Sequence, residues 1–157
     1  MKTLVVYYSR TGTTKKIGEE IAKKLKTESE EIIDTVDRNG AKGYLYAGRD
    51  AMKRNLTKLK RMKTNPVDYD LVIVGTPIWA WNVSAPVRTY LTAFKGKFKK
   101  VAFFCTMGGS GAEKAFKEMG EVINIDPIAN FSLTTKEVIA DSYQKKIEEF
   151  IKELEQP

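Results

Sequence analysis

The segment Ser9-Arg10-Thr11-Gly12-Thr13-Thr14 gathers four hydroxyl side chains and one cation within six residues. Ahead of it, Leu4-Val5-Val6-Tyr7-Tyr8 is a continuous run of β-branched, aliphatic and aromatic residues, which reads as a buried strand. Behind it, Ile17, Ile21 and Leu25 recur every four residues, with Gly18 and Ala22 on the same flank, so a helix packs back on that strand. A strand, a hydroxyl-rich loop and a helix N-terminus in this order make a socket for phosphate. The first helical turn has unpaired N–H groups and a partial positive charge, and the hydroxyls add donors. The expected anion is small and terminal, because the loop has one glycine and lacks both GxxxxGK and GxGxxG. Ordinary helix capping also uses such hydroxyls, so the loop gains its weight from the rest of the chain.

Two further segments have unusual chemistry. Thr76-Pro77-Ile78-Trp79-Ala80-Trp81-Asn82 places two indoles within three residues outside any helical or strand periodicity. Either could cover a sheet edge, but together they suit a flat aromatic ligand, since ring-on-ring contact adds roughly 0.5–1.5 kcal/mol beyond burial. In Thr106-Met107-Gly108-Gly109-Ser110-Gly111 the glycines let main-chain groups approach the edge of a heteroaromatic ring, and Met107 can lie against a ring face. The alternative for this segment is a flexible turn into a helix. A terminal phosphate in the first loop and a polar flat ring between the other two describe flavin mononucleotide (FMN). None of the three loops contains aspartate or glutamate, and Arg10 adds a positive charge.

Composition narrows the chemistry. The chain has no histidine and one cysteine, Cys105, which excludes an imidazole base, intrachain disulfides and Cys- or His-based metal clusters. Redox or group-transfer chemistry would then come from a bound organic cofactor. With 157 residues, 42% hydrophobic and 30% charged, one globular domain over residues 1–157 is expected. No apolar run reaches membrane-spanning length and no signal-peptide pattern is present, so the expectation is a cytoplasmic protein with no membrane partner. The net charge is +7, and it is concentrated. Between Ala51 and Val67 lie six basic residues (Lys53, Arg54, Lys58, Lys60, Arg61, Lys63) and no acidic one, which leaves 21 basic against 20 acidic residues elsewhere. Such a segment is either a solvated face or a docking patch for an acidic partner. No aromatic-interleaved basic motif supports nucleic-acid binding.

The intervening elements must bring the three loops together. Glu31–Val36 reads as a second strand, plausible at an edge, and Asp37–Gly43 as a turn. A helix is expected from Gly48 to Lys63 with Met52, Leu56 and Leu59 facing inward, ended by Thr64-Asn65-Pro66. Asp70–Thr76 is a buried strand, Pro77–Asn82 a loop, and Ser84-Ala85-Pro86 opens a helix with serine as its cap and Val87, Leu91 and Phe94 as its apolar stripe. Val101–Cys105 is a further buried strand; Ala112, Ala115, Phe116 and Met119 mark a helix stopped by Gly120. Ile128–Leu133 is the last strand, and one final helix carries Ile139, Tyr143, Ile147, Ile151 and Leu154 inward. Strands alternating with helices call for an α/β, doubly wound, five-stranded parallel sheet. In the order 2-1-3-4-5 its ligand crevice lies at the carboxyl ends of strands 1, 3 and 4, which are the strands that the three loops leave.

Tyr7-Tyr8-Ser9-Arg10-Thr11-Gly12-Thr13-Thr14, then Val74-Gly75-Thr76-Pro77-Ile78-Trp79, then Cys105-Thr106-Met107-Gly108-Gly109 resemble, in order and over essentially the whole chain, the motifs of flavodoxins. Gly43-Tyr44-Leu45-Tyr46-Ala47-Gly48 is similar to one flavodoxin-like branch. The resemblance implies a short-chain flavodoxin-like fold and FMN as cofactor. Ser9, Arg10 (through its backbone), Thr11, Gly12, Thr13 and Thr14 would hold the phosphate. Thr76, Pro77, Ile78, Trp79, Ala80, Trp81 and Asn82, with Thr106, Met107, Gly108 and Gly109, would flank the ribityl chain and ring. It also implies an electron carrier between redox proteins, and the concentrated charge of Lys53–Lys63 suits docking of an acidic one; the alternative is an FMN-dependent NAD(P)H:quinone or azo-compound reductase. The chain departs from electron-carrying flavodoxins in being basic, and in having Met107 and glycines where many have an aromatic residue in the third loop. With no carboxylate in the loops, the potential of the last flavin reduction step is expected to be less negative than in acidic flavodoxins. A tyrosine-phosphatase loop does not fit, since C-x5-R from Cys105 would need arginine where Gly111 stands.

Overall fold

The computed structural model of the chain describes residues 1–156. Strand β1 (Thr3–Tyr7) is followed by α1 (Thr13–Leu25), β2 (Glu28–Glu31) and α2 (Gly40–Met52). Then come β3 (Leu71–Trp79), the short β4 (Asn82–Val83), α3 (Ala85–Ala93), β5 (Val101–Met107), α4 (Ala112–Ile123), β6 (Asn130–Thr134), α5 (Thr135–Ile139) and α6 (Gln144–Leu154). Five strands run parallel in the order β2-β1-β3-β5-β6, and β4 pairs antiparallel with the end of β3. Setting that hairpin strand aside, this is the doubly wound order 2-1-3-4-5.

Alternate residues of each strand point to opposite faces, and the core divides accordingly. Leu4, Val6, Val72, Val74, Val101 and Phe103 pack with Val87 and Leu91 of α3 and Phe116 and Met119 of α4. Val5, Tyr7, Ile73 and Phe104 pack on the other face with Ile17 and Ile21 of α1 and Ile147 and Phe150 of α6. Each such side chain contributes about 1.5–3 kcal/mol relative to exposure. The strand ends, and hence the loops, are therefore anchored on a rigid sheet.

Four elements differ from the sequence expectation. The second strand is Glu28–Glu31, not Glu31–Val36, because its register is set by β1 (Leu4 opposite Glu28, Tyr7 opposite Glu31). Its charged residues suit an edge strand, and Ile32 follows it into the core. The helix expected over Gly48–Lys63 is α2 at Gly40–Met52, which begins inside the segment read as a turn. Arg54 takes a left-handed φ of 55°, which ends helical continuation. Residues 55–65 then form an extended strap: Thr35 N–H donates to the Lys58 carbonyl at 3.0 Å, and Lys60 N–H to that of Ile33 at 2.9 Å. Met52 and Leu56 are exposed as a result, and Leu59 alone of the expected inward trio packs on the core.

The segment Pro77–Asn82 is not a loop but the body of a hairpin, with Trp79 still in β3 and Asn82 already in β4. The expected last helix is two. A capping box of Thr134 and Glu137 opens α5, Asp141 at φ 53° breaks it, and Ile139 is left exposed. Ser84 does not cap α3 with its side chain; its hydroxyl lies 2.9 Å from that of Thr76.

Candidate functional site

Three segments leave the carboxyl ends of β1, β3 and β5, which are neighbours in the sheet. In the first, Gly12 at φ 95° turns the chain into α1, a conformation that a residue with a Cβ adopts only under strain. Ser9 Oγ accepts the Gly12 N–H at 3.0 Å, which shapes the loop. The N-terminus of α1 has no side-chain cap and no acidic residue in its first turn. Exposed Thr11 and half-buried Thr13 place their hydroxyls 3.4 Å apart beside it. Thr14 is different: it is buried, and its Oγ1 lies 2.7 Å from Thr106 Oγ1. The Arg10 side chain turns away, donating to the Arg38 carbonyl at 3.2 Å with its guanidinium 5.5 Å from the Tyr44 ring centre, so its backbone is what remains at the loop.

The second segment is the hairpin. Trp79 pairs with Asn82 across Ala80 and Trp81, both in the left-handed region at φ 46° and 62°. Two-residue hairpins need this conformation and usually meet it with Asn-Gly; side chains there cost about 1–2 kcal/mol each. Side-chain bonds hold the turn against that cost. Asn82 Nδ2 donates to the Ala80 carbonyl at 2.6 Å, Lys114 Nζ to Asn82 Oδ1 at 2.8 Å, and Trp81 Nε1 to Ser110 Oγ at 3.0 Å. Gly111 has φ 106°, and a Cβ there would stand 2.9 Å from Trp81 Cα, so the third loop reaches the hairpin only with glycine at that position.

Between the hairpin, the third loop and α2 lies a cleft of about 660 Å³, within the size range of small-molecule sites. Ile78, Trp79, Ala80 and Trp81 form one wall, Gly108 to Ser110 another, and Tyr44, Leu45, Gly48 and Met52 of α2 the third. Trp79 is 8% exposed and meets Tyr8 edge-on at 5.5 Å, whereas Trp81 is 62% exposed at the lip. Tyr44, Leu45 and Met52 are also exposed. A Cβ on Gly108 or Gly109 would meet nothing, so the backbone there faces open space. A larger hollow, about 1280 Å³, lies at the other end of the sheet among Met1, Thr27, Lys100 and Gln156, and none of the three loops reaches it.

Of the residues singled out by sequence, Ile78, Trp79, Ala80, Trp81, Gly108 and Gly109 line the cleft. Thr76, Asn82 and Thr106 are buried, with hydroxyl or amide groups spent on Ser84, Lys114 and Thr14 respectively. Pro77 and Met107 lie half-buried at the strand ends, outside the cleft wall. Sequence reasoning missed the α2 wall, although Tyr44 and Leu45 lie in the segment similar to one flavodoxin branch. It also missed Arg38, whose guanidinium stands 5.4 Å from the Trp79 ring centre. Arg38 pairs with Asp34 and Asp50, carboxylates that arrive from outside the three loops.

Protonation states follow from burial. The Tyr8 phenol is pushed up to about 12 by burial, with Asp34 adding to the shift, so it stays neutral. Burial likewise pushes the Cys105 thiol up to about 12, and it is no nucleophile at neutral pH. Burial works against ionised Asp50, but Asn55 and Arg38 outweigh it and hold the carboxyl below its usual range. Among the described residues, no helix is long and apolar enough to cross a membrane.

Comparisons with known proteins agree with this geometry. A flavoprotein from Lactobacillus acidophilus, solved in complex with FMN, is 25% identical, with a TM-score of 0.73 over 94% of this chain and 98% of that one. A proposed flavoprotein from Bacteroides uniformis is 24% identical, with a TM-score of 0.79 over 96% and 97%. Two-electron reduced Megasphaera elsdenii flavodoxin is 19% identical, with a TM-score of 0.54 over 85% of each chain, a likeness of fold. No curated protein sequence matches. The flavodoxin family model matches residues 2–150, and the chain belongs to the flavodoxin family.

Proposed function

We propose that this chain holds FMN and carries electrons between redox proteins. The observation that carries the reading is the meeting, at one end of the sheet, of an uncapped helix N-terminus flanked by hydroxyls and an aromatic-walled cleft. The residues fit the cofactor. The phosphate is taken by the N–H groups at the start of α1 and the hydroxyls of Thr11 and Thr13, with no nearby acidic residue in that turn to repel it. The ring enters the cleft between Trp79, Trp81 and the Gly108–Gly109 backbone. Thr76, Asn82 and Thr106 act through the loops they brace. FMN supplies reversible uptake of one or two electrons; the chain supplies orientation, exclusion of water and local charge.

The partner is an acidic redox protein docking along Lys53–Lys63. All six basic residues of that segment are exposed, and among the described residues only Arg54 has an ion-pair partner, Glu118. The exposed Met52 and Leu56, next to and within that segment, supply apolar contact area.

The visible spectrum of the purified protein tests the cofactor, and NAD(P)H oxidation with added quinone tests the role. Flavin absorption with no steady turnover of NAD(P)H is the expected result. A colourless protein that fails to take up FMN overturns the cofactor reading. Rapid turnover without a second protein replaces the carrier with a reductase.

A further inference from the structure

Trp79 is backed by a buried charge cluster that the binding scheme above does not use. The Arg38 side chain is 1% exposed, that of Asp34 3% and that of Asp50 15%. Arg38 Nε donates to Asp34 Oδ2 at 2.6 Å and Nη1 to Asp50 Oδ2 at 2.8 Å. The free carboxylate oxygens are also engaged: Asp34 Oδ1 accepts from Thr57 Oγ1 at 2.7 Å, and Asp50 Oδ1 from Asn55 Nδ2 at 3.0 Å. Within the cluster, Arg38 Nη2 is buried without a hydrogen-bond partner.

A buried cationic N–H without an oxygen partner needs another source of negative potential. The indole face supplies it, with the guanidinium carbon 5.4 Å from the Trp79 ring centre. Trp79 lines the cleft, whereas Arg38, Asp34 and Asp50 do not. The indole thus stands between the cluster and any ring seated in the cleft. The buried part of the cluster counts one guanidinium against two carboxylates, and the half-exposed Arg49 guanidinium stands at its edge, 3.6 Å from Asp50 Oδ1. Charges with so little exposed surface are screened less than surface charges, and reduction of a flavin adds negative charge to its ring.

We propose that Arg38, bridging Asp34 and Asp50, is a positioning and charge-setting residue that fixes Trp79 at the cleft and tunes the midpoint potential of FMN bound there. This rests on the FMN reading given above. Deleting the buried cation leaves the two carboxylates behind the indole with only the half-exposed Arg49 beside Asp50, and makes reduction harder. Neutralising one carboxylate removes one negative charge from behind the indole and makes reduction easier. Lysine keeps the charge but cannot span both carboxylates as the planar fork does.

The test uses the full chain with Arg38→Met, Arg38→Lys and Asp50→Asn, each also in a Trp81→Phe background where Trp79 is the only tryptophan. The midpoint potential of bound FMN is expected to fall in Arg38→Met, rise in Asp50→Asn and stay close to the parent in Arg38→Lys. Without FMN, acrylamide quenching of Trp79 is expected to increase in both arginine variants. Potentials that shift in the same direction in Arg38→Met and Asp50→Asn, or do not shift, overturn the charge-setting role, because a merely structural contact would not give opposite signs. If Arg38→Met fails to fold, Asp50→Asn decides, and an unchanged or lowered potential refutes the proposal. If the parent chain takes up no FMN, the cofactor reading fails by itself, while unchanged Trp79 quenching in Arg38→Lys would independently overturn the positioning role.

Discussion

The Oγ1 atoms of Thr14 and Thr106 lie 2.7 Å apart, and both side chains are closed off from solvent. One belongs to the first turn of α1, the other to the last residues of β5. This single bond ties the loop after β1 to the loop after β5 beneath the level at which a ligand would sit. Thr14→Val keeps the shape and removes the hydroxyl, leaving Thr106 without its partner. A loss of about 1–3 kcal/mol in urea unfolding is expected, together with similar weakening of FMN and riboflavin in fluorescence titrations. A variant that weakened FMN alone would place Thr14 on the phosphate instead.

Thr11 and Thr13 should behave in the opposite way. Their hydroxyls are not closed into the core, and a hydrogen bond to a charged group is worth roughly 1.5–3 kcal/mol. The double variant Thr11→Ala/Thr13→Ala should lose at least about tenfold in FMN affinity per hydroxyl, with little change for riboflavin or in unfolding midpoint. Equal losses for the two ligands would remove the loop from the phosphate site.

The two tryptophans differ in exposure, 8% for Trp79 and 62% for Trp81. Trp79→Ala should therefore cost about 3–5 kcal/mol of stability as a buried aromatic truncation. Trp81→Ala should cost only about 0.5–1.5 kcal/mol of stability, the worth of its bond to Ser110, while weakening FMN by the roughly 0.5–1.5 kcal/mol of a stacking contact. Calorimetry of both variants with and without FMN separates the two effects.

Charge reversal at Lys58 and Arg61 addresses the strap. Both are exposed and without ion-pair partners among the described residues. The Lys58→Glu/Arg61→Glu protein should transfer electrons to an acidic partner more slowly at low ionic strength, with a flatter salt dependence. Stopped-flow rates that ignore both changes would make the strap a solvated face.

Acid should find the Arg38 cluster. The Asp50 carboxyl is held below its ordinary value of 3.8, burial opposing and Asn55 and Arg38 prevailing. A folded value below the unfolded one means that the contribution to stability is complete above the unfolded value and is lost as pH falls through the folded one. Urea midpoints of the parent should therefore drop more steeply below about pH 3.8 than those of Asp50→Asn. Parallel acid curves would show that the ion pair contributes nothing to folding.

The sheet and its order were legible because buried parallel strands are written as short apolar runs (Leu4–Tyr8, Leu71–Val74, Val101–Cys105) whose pattern depends on local residues alone. The hydroxyl loop and the glycine loop were legible as the segments that leave two of these strands, because residue type and spacing mark them. The strap was not legible. Lys53–Lys63 has amphipathic residues that a free helix would accept, but pairing of Lys58 and Lys60 with Thr35 and Ile33 wins once β2 is in place. The hairpin at Ala80-Trp81 has no turn-type residues, so only the bonds from Asn82 to Ala80, from Lys114 to Asn82 and from Trp81 to Ser110 reveal why the chain turns there. The charge around the cleft needed tertiary structure most of all. The three loops contain no carboxylate, yet Asp34 and Asp50 reach the back of Trp79 through Arg38, from segments whose sequence positions bear no local relation to the ring they adjoin. Local pattern specifies which segments become strands and helices. Which charges are buried beside which aromatic ring depends on how those segments pack.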